Sequence, residues 1–149
     1  MPDDWSLSSN LGPLGALPTA PSLARGFVTS VLEAWGMSLL ADTAELIASE
    51  LATNVVQAAT DEDGKSRYDE TGNLPLVWLR LLSDRMTVLI EVWDNIPDAL
   101  GAPVIRNAGE LDESGRGLEI VDTLSDEWGW EHVSGWNGKR VWALLVPPE

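Results

Sequence analysis

The chain has 149 residues, no cysteine, one histidine, and 24 acidic against 9 basic side chains, a formal charge of −15. That length suits one domain around a single core. The composition excludes thiolate chemistry, disulfides and a histidine metal cluster, and the charge repels nucleic-acid phosphates and anionic lipid. No apolar run approaches the ~20 residues that span a bilayer, and the acidic start "MPDDWSLSSN" is unlike a secretory leader, so a cytoplasmic protein with a basic partner surface is expected, with no nucleic-acid or membrane partner.

Residues 1–20 mix Pro, Gly and Ser with scattered Leu, a composition for an extended arm or an edge strand, and residues 21–149 are expected to form the domain proper. From Pro21, "PSLARGFVTSVLEAWG" predicts a helix with Leu23, Phe27, Val31 and Leu32 on its apolar face and Gly36 as its stop. A second helix is predicted over about 39–59, followed by the polar, turn-rich "TDEDGKSRYDETGN". "LPLVWLRLL" and "MTVLIEVWD" read as two strands joined at "SDR" in an antiparallel hairpin. Residues 95–114 form a loop of a length that compact domains keep for a function. A third helix follows, running to about Glu127, and then a final hairpin of "WGWEHV" and "KRVWALLVP" around "SGWNG". Helices on one side of a mainly antiparallel sheet give an α+β two-layer sandwich as the simplest architecture.

Three places carry polar groups where packing calls for apolar ones. On a helical wheel of ~100° per residue, Leu40, Ala44, Ile47, Leu51, Val55 and Ala58 share one side of the second helix. Asn54 falls inside that stripe, and Glu50, one turn earlier, lies on its margin. Local backbone can satisfy both; alternatively they offer a carbonyl oxygen to a hard cation and a carboxylate to a proton. In "TVLIEVWD" the parity that aligns Val88, Ile90 and Val92 also turns Asp94 toward the helices. Asp94 is either the start of the turn before "NIP" or an acceptor for an exocyclic amine such as that of adenine. Finally, "SGRG" opens the third helix, where unpaired N–H groups and the positive end of the macrodipole favour phosphate. Arg116 there either reaches a phosphate or pairs with Asp112 or Glu113.

"ELATN", "VWDNIP", "SGRGLEIV" and the terminal "GKRVW", in that order, resemble the ATP-binding (Bergerat) fold of the GHKL superfamily, and most of all its small anti-sigma-factor serine/threonine kinases, over about residues 21–146. The resemblance implies ATP and Mg2+ as cofactors, Glu50 as general base or water-orienting carboxylate, and Asn54 as the magnesium ligand. It further implies Asp94 as the adenine-binding aspartate, with Ile96 and Pro97 in the nucleotide loop after it, and Gly115, Arg116, Gly117 and Leu118 as the phosphate loop. The function implied is phosphorylation of an antagonist protein, with a sigma factor bound in a partner switch. The alternative is a non-catalytic module that regulates a partner by binding alone. Ala58 stands where the family often has histidine, Ile96 and Asp98 where it has glycine, and Arg140 where a small hydroxyl residue often precedes "VW", which removes an adenine contact.

Of the eight tryptophans, Trp93 faces away from Asp94, and Trp78, Trp130 and Trp142 also lie on strands, so some are expected on the sheet face away from the helices. That face is read either as covered by the N-terminal arm with Trp5 or as the interface of a homodimer or protein partner.

Overall fold

The computed structural model describes residues 5–97, 113–133, 135 and 137–148, with the backbone alone for 113–117. Its elements run β1 (Leu7–Gly15), α1 (Ala20–Ala34), a 3-10 turn (Ser38–Leu40), α2 (Ala41–Ala58), β2 (Leu76–Ser83), β3 (Val88–Asp94), α3 (Glu113–Leu124), β4 (Glu127–His132) and β5 (Lys139–Leu145). The five strands make one sheet in the order β1-β2-β3-β5-β4, and every neighbouring pair is antiparallel. The fold is α+β, as expected.

The core lies between the sheet and the helices. Val77, Leu79 and Leu81 from β2, Val88, Ile90 and Val92 from β3, and Val141, Ala143 and Leu145 from β5 all face it. Cross-strand partners share a face, so this set is one continuous apolar surface. Onto it α2 lays Ala44, Ile47, Ala48, Leu51 and Val55, the helical row anticipated from its periodicity. The inner row of α1 differs from expectation. Ala20, Ala24, Val28 and Leu32 are buried there, while Phe27 and Val31 are only partly buried and Leu23 is exposed. Small side chains let α1 approach α2 closely, and Arg25 Nη1 donates to Ser49 Oγ across the pair at 2.8 Å.

The residues expected to be an arm or edge strand supply β1, whose register along β2 runs from Leu7 opposite Ser83 to Gly15 opposite Leu76. Trp5, just before it, packs with Trp142 on a second, smaller apolar cluster of Leu82, Leu89 and Leu144 on the sheet face away from the core. Trp78 and Trp93 are register partners on that face. Trp130 is not: it pairs with Val141 and so lies on the core side, at the edge of the sheet, against the ring of His132. The polar loop after α2 holds two like turns. Asp61 Oδ1 accepts from the backbone N–H of Asp63 and Lys65, and Asp69 Oδ1 from those of Thr71 and Asn73. Short Asp side chains that bond the backbone two residues ahead are what hold such turns without an apolar anchor.

Candidate functional site

Glu50, Asn54 and Ala58 stand four residues apart on α2 and therefore form one row along the helix. Packing of α2 on the sheet half-buries Glu50 and Asn54. The amide nitrogen of Asn54 is buried with no hydrogen-bond partner among the described residues. An unsatisfied buried polar atom costs about 1–3 kcal/mol, and a water or a ligand is the usual partner for such an atom. Burial also pushes the Glu50 carboxyl above its ordinary pKa, which makes it a stronger proton acceptor once ionised.

Across the core layer, β3 ends at Asp94, whose side chain is fully buried. One carboxylate oxygen, Oδ1, accepts from the backbone N–H of Ile96 at 2.9 Å, which fixes the turn leaving the strand. The other, Oδ2, accepts from Nζ of Lys139 at 2.7 Å. Lys139 is the register partner of Asp94 on β5, and its exposure is only 6%. The residue before it, Gly138, has φ of +148°, and a Cβ there would lie 1.9 Å from the carbonyl oxygen of Asp94. Glycine is required at this point for two strands to meet so closely. Asn95 Oδ1 accepts from the N–H of Leu76 at 2.8 Å, tying the end of β3 to the start of β2.

Beside this pair opens a cavity of about 500 Å³, large enough for a small-molecule ligand. Ala58 from the α2 row, Asn95, Ile96 and Pro97 after β3, and Asn137 before β5 all line it. Arg67 also lines it, and its Nε is buried without a partner among the described residues. The side chain of Ile96 is at once cavity wall and core. Ala58 leaves open the space that a larger side chain at the end of the row would fill.

The third group of expected residues lies on α3. Gly115, Arg116, Gly117 and Leu118 fall within its first two turns, because the helix begins at Glu113. Leu118 buries its side chain in the core at 2% exposure and so anchors that end of the helix. The side chains of 113–117, and residues 98–112, which include most of the expected loop and Asp98, lie outside the described residues.

Two features were not foreseen. Arg140, which stands where the resemblance loses an adenine contact, points to the opposite sheet face, where it joins Arg80 in ion pairs to the fully buried Glu91. Strand parity decides this: Val141, Ala143 and Leu145 face the core, so Lys139 does too and Arg140 does not. The same alternation, read in the sequence, singles out Lys139. Burial pushes Glu91 up, yet the hydrogen bond from Arg80 and the charge of Arg140 outweigh it and hold the carboxyl below its ordinary range. Arg80 lies over the ring of Trp93 and Arg140 over that of Trp142, at 5.8 and 5.9 Å. This cluster braces the sheet on the face away from the helices.

The two-layer α+β domain carries a half-buried Glu–Asn row on α2 and a buried aspartate at the end of β3. The family model described as the histidine kinase-like ATPase domain matches residues 14–144, and the chain belongs to that family. No curated protein matches it significantly. Membership implies an ATP-binding site. No group of three or more metal-ligating side chains occurs among the described residues. Magnesium takes one or two protein oxygens and completes its shell with phosphates and water. Asn54 has the right chemistry, since turning its amide over would aim a carbonyl oxygen where the unpartnered nitrogen now lies. No helix among the described residues is long and apolar enough to cross a membrane.

Proposed function

We propose that this protein is an ATP-dependent regulatory kinase of the anti-sigma type, which transfers the γ-phosphoryl group of ATP to a serine or threonine of a small antagonist protein. The observation that carries the reading is the buried Asn54 amide nitrogen, without a partner among the described residues, one turn from the desolvated Glu50 carboxyl, in a chain of the histidine kinase-like ATPase family. Asn54 would hold Mg2+, which supplies charge neutralisation of the phosphates when bound. Glu50 takes the proton of the attacking hydroxyl as its oxygen bonds the γ-phosphorus and ADP departs. Asp94 accepts from the exocyclic amine of adenine, with Ile96 and Pro97 walling the base, while the Gly115–Leu118 turns of α3 receive the phosphates. A sigma factor is the second partner in the proposed switch, the protein acts in the cytoplasm, and it works as a homodimer.

The binding-only alternative draws on one observation: Lys139 and the Ile96 N–H already engage both oxygens of Asp94. Calorimetric titration with ATP, with and without Mg2+, followed by a transfer assay with γ-labelled ATP and candidate antagonists, separates the two. Magnesium-dependent binding with label in a protein band supports the kinase. Binding without transfer to any antagonist or to water replaces it with the binding module, and no binding removes the nucleotide reading altogether.

A further inference from the structure

The chain sets 24 acidic side chains against 9 basic ones, yet among the described residues no ion pair joins Arg67 to a carboxylate, and its Nε is buried without a hydrogen-bond partner. A water or a ligand oxygen is the usual partner for such a donor, and leaving it bare is costly. Backbone holds the residue in place. Its N–H donates to the carbonyl of Ala59 at 2.8 Å, Thr60 and Ser66 form a bridge beside it, and the turns centred on Asp61 and Asp69 close on either side. A polar loop with no apolar stripe thus sets one guanidinium at a fixed point on the wall of the 500 Å³ cavity.

That cavity is not the nucleotide site proposed above. Glu50, Asn54 and Asp94 do not line it, and of the residues assigned to the nucleotide only Ile96 and Pro97 do. Leu74, Pro75 and Trp78 give it apolar and aromatic walls, so with Arg67 it suits a ligand that has a flat apolar body and an anionic oxygen group. A carboxylate fits better than a phosphate. Its single charge matches the single guanidinium, whereas the second charge of a phosphate monoester would add to that of Asp69, which also lines the cavity. Asn95, whose Oδ1 is taken by the N–H of Leu76, keeps its N–H2 group as a further donor on the same wall. We infer that this cavity is a second small-molecule site, for an aromatic monocarboxylate whose carboxylate accepts from Arg67 and whose ring packs on Leu74, Pro75 and Trp78. Its occupant rests against Ala58 and Ile96, at the ends of the elements that carry Asn54 and Asp94. The inference does not rest on the nucleotide reading and is decided the same way if the protein binds no ATP.

The test removes the charge and keeps the shape. Benzoate, phenylacetate, 3-phenylpropionate and indole-3-acetate are titrated into the protein by ligand-observed NMR, each beside its primary amide and with phenyl phosphate for comparison. At least one acid is expected to bind with a Kd under about 5 mM, and its amide at least about fivefold more weakly, because a charge-assisted hydrogen bond is the stronger kind. No acid bound within that limit, a smaller gap between acid and amide, or phenyl phosphate bound more tightly than every acid overturns the inference. Two variants then locate the site. Arg67→Met removes the guanidinium and keeps the backbone bonds, and Ala58→Leu fills the cavity from the side of α2. Each, once shown to be folded by its melting curve, should bind the acid at least about fivefold more weakly than wild type, and a smaller loss in either one overturns the assignment.

Discussion

Replacing Glu91 by Gln tests how far the far face of the sheet supports the near one. The substitution keeps the shape and removes the charge that both guanidinium groups share, at a position with 1% side-chain exposure. Taking away one partner of a fully buried ion pair costs about 3–5 kcal/mol, because the other is stranded. Arg80 is 42% exposed and can turn to water, whereas Arg140 at 12% cannot, although it keeps a 3.0 Å bond to Glu131. The expected loss is therefore about 2–3 kcal/mol, most of it from Arg140. With a urea slope of about 2 kcal/mol per molar, the unfolding midpoint should fall by about 1–1.5 M. The pH dependence gives a second reading. The Glu91 carboxyl is held below its ordinary range in the fold, so its contribution is fully present above the unfolded pKa, about 4.3, and is lost as pH falls through the folded value. The gap between wild type and variant should thus be wide at pH 7 and narrow steadily below pH 4. A midpoint shift under about 0.3 M at pH 7, or a gap that does not shrink in acid, would refute the claim that this cluster stabilises the sheet.

Asn54→Ala should abolish magnesium-dependent ATP binding in calorimetry without unfolding the protein, since its amide nitrogen has no partner among the described residues to lose. Glu50→Gln should nearly eliminate phosphate transfer, by about 10²- to 10⁴-fold, with ATP affinity kept within a few-fold. The same variant should be more stable than wild type at pH 7, because burial penalises only the charged carboxylate, and the advantage should disappear below the ordinary carboxylate range, as denaturation at two pH values will read. The pH–rate profile of the wild type should rise through a pKa above that of an unperturbed glutamate. Gly138→Ala should lower the melting temperature by several degrees, since its Cβ meets backbone atoms of Asp94 and Asn95 that have no flexible end to yield; an unchanged melting curve would show that the β3–β5 contact can relax.

Much of the fold is local in origin and was legible in the chain. The period of α2, the parity of β3 and the turn chemistry at "SDR" depend on residues a few positions apart, and each element formed where that pattern placed it. The same local rules put Asn54 in an apolar stripe and turned Asp94 toward the helices. Which row of α1 faces inward was decided otherwise. Its alanines outcompete Leu23 and Phe27 because closeness to α2 matters more there than side-chain size, and closeness is a property of two helices together. The third dimension also decided the chemistry of the charged strands. Lys139 and Arg140 are neighbours in sequence with the same charge, yet one enters the candidate site beside Asp94, 45 residues away, and the other braces Glu91, 49 residues away, on the opposite face. Parity says only that the two point apart; which carboxylate each one meets depends on the pairing of β3 with β5, and that register belongs to the folded sheet.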